Sequence, residues 1–157
     1  MTITIGLEVG FVEMLCGLIE FDFDAIEAYK EAVNRFRNEI YKQRFKEFEA
    51  DHVRHTEELS HYLLAHGEEP TTGPSAKQLL TKGKIIIADL FGDDAILYAM
   101  KSNEEDTNLA YERAVEFIDK PHDVVDLLNR ALADERRHYQ WIEDAVLHME
   151  TMPAVML

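Results

Sequence analysis

Apolar residues recur every three or four positions through four long stretches of the chain, and no convincing strand-like alternation interrupts them. The first stretch, about 8 to 38, sets Phe11, Leu15, Leu18, Ala25, Tyr29, Val33 and Phe36 on one face. The second, about 41 to 66, presents Tyr41, Phe45, Phe48, Leu59 and Tyr62 and stops before Gly67, a residue type that commonly follows a helix end. The third, about 93 to 118, carries Leu97, Met100, Tyr111, Val115 and Ile118 and halts before Pro121. The fourth, about 122 to 150, carries Val124, Leu128, Ala131, Ile142, Ala145 and Met149. This pattern predicts an all-α fold.

The joins differ in length. Short links connect the first helix to the second and the third to the fourth, whereas residues 67–92 contain Pro70, Gly73, Pro74, Gly83 and Gly92 and are too long for a tight turn. Two helical hairpins joined by a long crossover are therefore expected, a topology of four-helix bundles. Within the crossover, Ile85, Ile86 and Ile87 predict a short packed helix, and the tail with Val155, Met156 and Leu157 is expected to pack on the bundle or on a neighbouring subunit. A chain of 157 residues reads most simply as a single domain, 1–157, large enough to bury about 70% of its unfolded surface.

Polar residues interrupt the apolar stripes at matching places in the two halves. Asp22 is followed seven positions later by Tyr29, then by Ala32 and Val33, then by Ala50-Asp51-His52-Val53-Arg54-His55. Glu104 is followed seven positions later by Tyr111, then by Ala114 and Val115, then by Ala133-Asp134-Glu135-Arg136-Arg137-His138. At about 100° per residue, Asp22 and Glu104 fall at the centres of the first and third stripes. His52 and His55 straddle the second, and Glu135 and His138 sit almost identically on the fourth. Six ionisable groups thus aim at one core. Buried unpaired they would cost several kcal/mol each, so they must neutralise one another or coordinate something. Carboxylates and imidazoles are ligands for iron, manganese or zinc.

Charge and composition narrow the partners. Sixteen basic against thirty-one acidic residues give a formal charge of −15, which repels nucleic acid and anionic membrane and attracts cations. Cys16 is the only cysteine, so an intramolecular disulfide and a four-cysteine iron centre are both excluded, and a reducing cytoplasm is the expected location. The N-terminus lacks a basic region and is broken by Glu8 and Glu13, a poor signal peptide. No apolar run reaches the length of a membrane span.

Taken together, these residues resemble the ferritin-like di-metal carboxylate proteins of the rubrerythrin type. Such bundles draw a carboxylate from each of two helices and a Glu-x-x-His from each of the other two. Glu135-Arg136-Arg137-His138 matches that motif, Glu104 matches the third-helix carboxylate, and Asp22 matches the first with a shorter side chain. The second helix departs from it. Repeat alignment puts His52 where a bridging glutamate belongs and His55 on the terminal histidine; the competing register, Glu49-Ala50-Asp51-His52, is a literal Glu-x-x-His but turns Glu49 about 90° from the stripe centre.

The resemblance implies two iron ions, with manganese or zinc as alternatives, held by Asp22, His52, His55, Glu104, Glu135 and His138. It implies oxidoreductase chemistry with peroxide or dioxygen in which Glu135 bridges the metals. An external electron donor is required, since no rubredoxin-like cysteine module is present, and a homodimer is the expected assembly. Position 107 is Thr107 rather than the further glutamate of a peroxidase. Two alternatives stand beside this: ferroxidase-type iron handling, and a metal-stabilised or metal-free helical interaction module. Tyr29 and Tyr111 lie two turns from the acids on the same face, where they could hydrogen-bond a ligand or supply a radical; core packing is the simpler expectation for both and for Trp141.

Overall fold

Four long helices make up most of the chain, and the computed structural model describes residue 5, residues 10–74, residue 87 and residues 90–151. Helix α1 spans Phe11–Arg35, α2 spans Glu39–Ala65, α3 spans Asp93–Glu116 and α4 spans Val125–Thr151. A 3-10 turn at His122–Val124 leads into α4. No strand occurs among the described residues, so the fold is all-helical.

The helix ends have local chemical causes. Helix α1 stops at Arg35 rather than near 38 because the Asp93 carboxylate accepts the backbone N–H groups of Arg37 and Asn38, at 2.8 and 2.9 Å. Asn38 in turn accepts the N–H of Ile40 at 2.9 Å and of Tyr41 at 3.4 Å, which caps α2 and starts it ahead of the expected position 41. One carboxylate at the start of α3 therefore pins the α1–α2 corner. At the other end of α2, Gly67 adopts φ 78°, and Glu68 N–H returns to the Leu63 carbonyl at 3.0 Å. That left-handed turn satisfies the last carbonyls at little cost only because residue 67 is glycine.

Helix α3 ends at Glu116, so Ile118, expected in the core, is instead 94% exposed. The apolar period continues past the point where the helix does, and Phe117 takes the inward position. Of the expected helix in the crossover, Ile87 is fully buried beside Ile96 and Leu97, while Ile85 and Ile86 lie outside the described residues. Residues 8 and 9 and the tail residues Val155, Met156 and Leu157 also lie outside them.

Helix α1 packs chiefly on α2 and α3 on α4, and the two hairpins meet through α1 against α3 and α2 against α4. Two apolar clusters result. One gathers Leu15, Leu18, Leu59, Leu63, Ala114 and Leu128, and the other gathers Phe36, Phe45, Phe48, Leu97, Met100 and Ile142. Each fully buried Leu or Phe contributes about 1.5–3 kcal/mol, and these two clusters fix the helices on either side of a polar layer at mid-height. None of the described helices is long and apolar enough to cross a membrane.

Candidate metal centre

Asp22 from α1, His52 and His55 from α2, Glu104 from α3, and Glu135 and His138 from α4 converge in that layer, and none is more than 1% exposed. Each lies on the buried face of its helix, so the packing that buries that face also buries the acid or imidazole. They form two overlapping groups. Asp22, His52, His55 and Glu135 make the first, and His52, Glu104, Glu135 and His138 the second.

In the first group, His52 Nδ1 lies 3.0 Å from Asp22 Oδ1 and 3.5 Å from Glu135 Oε1, and His55 Nδ1 lies 3.2 Å from Glu135 Oε1 and 3.9 Å from Asp22 Oδ1. In the second, His52 Nε2 is 3.7 Å from Glu104 Oε1, and His138 Nδ1 is 3.9 Å from Glu104 Oε2 and 3.8 Å from Glu135 Oε2. Donors about 2.1 Å from a common ion stand about 3.0 Å apart at right angles and about 3.4 Å at tetrahedral angles, so the first group is near ligand spacing and the second slightly wide.

Hydrogen bonding shows where the unmet demand lies. His52 Nε2, His55 Nδ1, His138 Nδ1, Glu104 Oε2 and both Glu135 oxygens are buried without a hydrogen-bond partner. Each points into the cluster. Native interiors rarely leave one such atom unsatisfied, and six in one place mark a site that could hold a positive ion. The donor set, imidazole nitrogen and carboxylate oxygen, suits a divalent transition metal, and a metal ion fits these residues.

The surrounding residues fix these donors. His138 Nε2–H donates to Asp51 Oδ2 at 3.0 Å, and His55 Nε2–H donates to Asp134 Oδ2 at 3.2 Å. Both rings are thereby oriented with Nδ1 facing inward. Each aspartate sits on the helix opposite its histidine. Two arginines complete the layer: Arg54 donates to Asp51 at 2.6 Å and to Asp134, and Arg137 donates to Asp51 at 2.7 Å and to Asp134 at 2.8 Å. On the other side, Tyr29 O–H donates to Glu104 Oε1, and Tyr111 O–H donates to Asp22 Oδ2 at 2.6 Å. The tyrosines therefore do more than pack. Trp141 is half-buried against Tyr41, Phe45 and Phe48.

Electrostatics follow from this arrangement. Burial opposes protonation of His52, but the Glu135 charge, the bond to Asp22 and the nearby Glu104 carboxylate outweigh it and hold its pKa up at about 10. At His55 burial is likewise outweighed, by the Asp134, Asp22 and Glu135 contacts, and the pKa stands at about 12. His138 is also raised, with burial overcome by its bond to Asp51 and the nearby Glu135 and Glu104 carboxylates. Burial would raise the Glu135 carboxyl, yet the His52 charge and the adjacent His138 and His55 rings pull it well below the ordinary range. Without metal, the cluster is an internal lattice of imidazolium and carboxylate.

Glu49, the alternative ligand, is half-buried and belongs to neither group. The sequence pattern does not single out Asp51, Asp134, Arg54 and Arg137, although all four stand at equivalent places in the two repeats. A cavity of about 30 Å³ opens between α1 and α3 against Tyr29 and Glu104, with Phe21, Ala28, Met100 and Thr107 also lining it. That is room for a water-sized molecule.

Residues 11–119 match the family described as Domain of unknown function (DUF2383), and the chain belongs to that family. The matched stretch holds Asp22, His52, His55 and Glu104; Glu135 and His138 lie beyond it. No curated protein matches the chain.

Proposed function

We propose that this member of the DUF2383 family is a ferritin-like di-metal protein of the rubrerythrin kind, a single domain that holds two iron ions and acts on peroxide or dioxygen. The observation that supports it is the set of six buried inward atoms, contributed by α2, α3 and α4 around Asp22 of α1, that lack any hydrogen-bond partner. Asp22, His52, His55 and Glu135 would hold one ion, and His52, Glu104, Glu135 and His138 the other. Two adjacent ferrous ions would supply two electrons to a small oxidant.

The protein's own residues prepare for that. Asp51 and Asp134 hold the Nε2–H protons of His138 and His55, so that Nδ1 is the free donor. Tyr29 and Tyr111 each neutralise part of a carboxylate's hydrogen-bonding demand and keep Glu104 and Asp22 in one rotamer. The apolar clusters above and below exclude bulk water, and the small cavity beside Glu104 admits only a small molecule. Electrons must come from a separate donor, because Cys16 is the sole cysteine.

Ferroxidase-type iron handling is the second reading, favoured by the charge of −15, which concentrates cations near the surface. Elemental analysis of protein purified without chelator, followed by anaerobic Fe(II) titration, tests the shared premise: about two ions per chain are expected. Mössbauer spectra after one equivalent of peroxide should show ferric iron, with sustained turnover only when a reductant is added. Ferric iron accumulating beyond two per chain selects iron handling instead. Spectra unchanged by both oxidants in protein holding two irons would mean that the site is structural.

A further inference from the structure

Two of the three histidines in the centre turn one nitrogen inward and give the other to an aspartate outside the two ligand groups. His52 gives its Nδ1 to Asp22, which is itself a candidate ligand. His52 is fully buried, its Nδ1 faces Asp22 Oδ1 at 3.0 Å and Glu135 Oε1 at 3.5 Å, and its Nε2 faces Glu104 Oε1 at 3.7 Å with no hydrogen-bond partner. Both edges of the ring therefore look at candidate ligands, and those ligands belong to different groups: Asp22 to the first, Glu104 to the second. His52 and Glu135 are the two residues common to both groups. Glu135 divides its oxygens in the same way, Oε1 toward His52 and His55 and Oε2 toward His138. In the sequence repeat, the two residues occupy equivalent positions.

Formal charge points the same way. Asp22, Glu104 and Glu135 supply three negative charges against four positive ones on two divalent ions, and a neutral His52 leaves one positive charge uncompensated in a buried layer. A residual buried charge is costly unless paired. A His52 ring that has lost both N–H protons carries the missing negative charge and has a lone pair for each ion.

We propose that His52 bridges the two metal positions as an imidazolate, Nδ1 to the ion held by Asp22 and His55 and Nε2 to the ion held by Glu104 and His138. The inference rests on the di-metal reading above and specifies how its two halves are joined. As the second ion binds, the remaining ring proton passes to solvent and a nitrogen–metal bond takes its place; no electron is transferred. The two ions are then coupled through a conjugated ring instead of through a second carboxylate.

Copper(II) alone is a suitable probe, since it favours imidazole nitrogen and each isolated ion carries one unpaired spin. Titrating the metal-free chain and removing weakly held copper by gel filtration should give a low-temperature EPR intensity that climbs to about one spin per chain. It should then fall at least fivefold as the second ion enters. In His52→Gln, which offers one donor, two bound coppers should regain nearly the full intensity of two spins, while Glu135→Gln should keep the loss. Two coppers bound with undiminished intensity in the natural chain, or coupling that survives His52→Gln, overturns the bridge while leaving the di-metal reading intact. A chain that never holds two ions removes both.

A measurement on the natural chain avoids dependence on folding of the variants. With two cobalt(II) ions bound, the hyperfine-shifted proton spectrum should contain exchangeable ring N–H signals from His55 and His138 only. A further exchangeable imidazole signal, lost in deuterium oxide, would show that His52 keeps its proton and would refute the bridge.

Discussion

Replacing Asp51 or Asp134 should weaken one metal position and spare the other, with the affected position lying across the interface from the mutation. Asp51 accepts the Nε2–H of His138 at 3.0 Å, and Asp134 that of His55 at 3.2 Å. Loss of such a carboxylate typically reduces metal affinity 10–100-fold, or about 1.4–2.7 kcal/mol. The range agrees with the net worth of a hydrogen bond to a charged group, about 1.5–3 kcal/mol. The other bonds of Asp51 run to Arg54 and Arg137, whose side chains are 44% and 50% exposed. Water replaces Asp51 there, so the loss should fall almost wholly on the histidine.

The assay is a competition titration with zinc(II) and a chromogenic chelator, resolved into two sites, with helix content monitored by far-ultraviolet circular dichroism. Asp51→Ala should lower affinity 10–100-fold at the position containing His138, and Asp134→Ala should do so at the position containing His55. Asp51→Asn should cost only a few-fold, because its amide oxygen can still accept the ring N–H. Equal weakening of both positions by either alanine variant, in protein of unchanged helicity, would refute the crossed assignment. So would no effect at all.

Two further outcomes follow from the same geometry. Glu135→Ala and His138→Ala should each remove more bound metal than Glu49→Ala by elemental analysis, and a chain emptied by Glu49→Ala but filled in His55→Ala would restore the Glu49/His52 register. On pH, a folded histidine pKa raised above its ordinary value near 6.5 stabilises the metal-free fold fully below that value, and the stabilisation is lost as pH rises through about 10 for His52 and about 12 for His55. Metal has to displace those protons, so its affinity should climb from pH 6 to pH 9, and loading at pH 7 should release protons, measured by calorimetry in buffers of different ionisation enthalpy. A flat affinity across that range would sink the argument. The histidine composition alone places metal release nearer pH 5; the carboxylates around His52 and His55 move the competition through neutrality.

How much of this is legible in the sequence depends on whether the relevant contact runs along one helix or between two. Asp22 and Glu104 lie at stripe centres, and a 3.6-residue period suffices to turn them inward. The four helices follow from the same period. Ile118 shows its limit: the apolar pattern continues, but the backbone has already turned at Phe117. Helix α1 ends early because of Asp93, a residue 55 positions or more downstream, and no local pattern carries that information. Asp51 and Asp134 are harder still. Each lies on the flank of its stripe, where a solvated acid is the ordinary expectation, and each acts on a histidine of the opposite helix. The repeat does mark them, since Ala-Asp precedes His52 and Glu135 alike and an arginine stands three positions after each aspartate. Periodicity tests a single helix; only comparison of the two copies reveals what they do together.

That crossing has a consequence for how the centre is built. Tyr29 of α1 serves Glu104 of α3, Tyr111 of α3 serves Asp22 of α1, Asp51 of α2 serves His138 of α4, and Asp134 of α4 serves His55 of α2. No hairpin supplies the outer support for its own ligands. Within either hairpin alone, both an acid and a histidine would face water without the partner that orients them. Docking of the hairpins and orientation of the ligands are therefore one event. The apolar clusters drive that docking from above and below, while the crossed bonds set its register. Sliding α2 along α4 by one turn would break the Asp51–His138 and Asp134–His55 bonds together with the Arg54 and Arg137 contacts that tie the same two aspartates. The polar layer thus specifies a single alignment of the four helices, which apolar packing alone enforces weakly, and that alignment brings the six inward donors to one place.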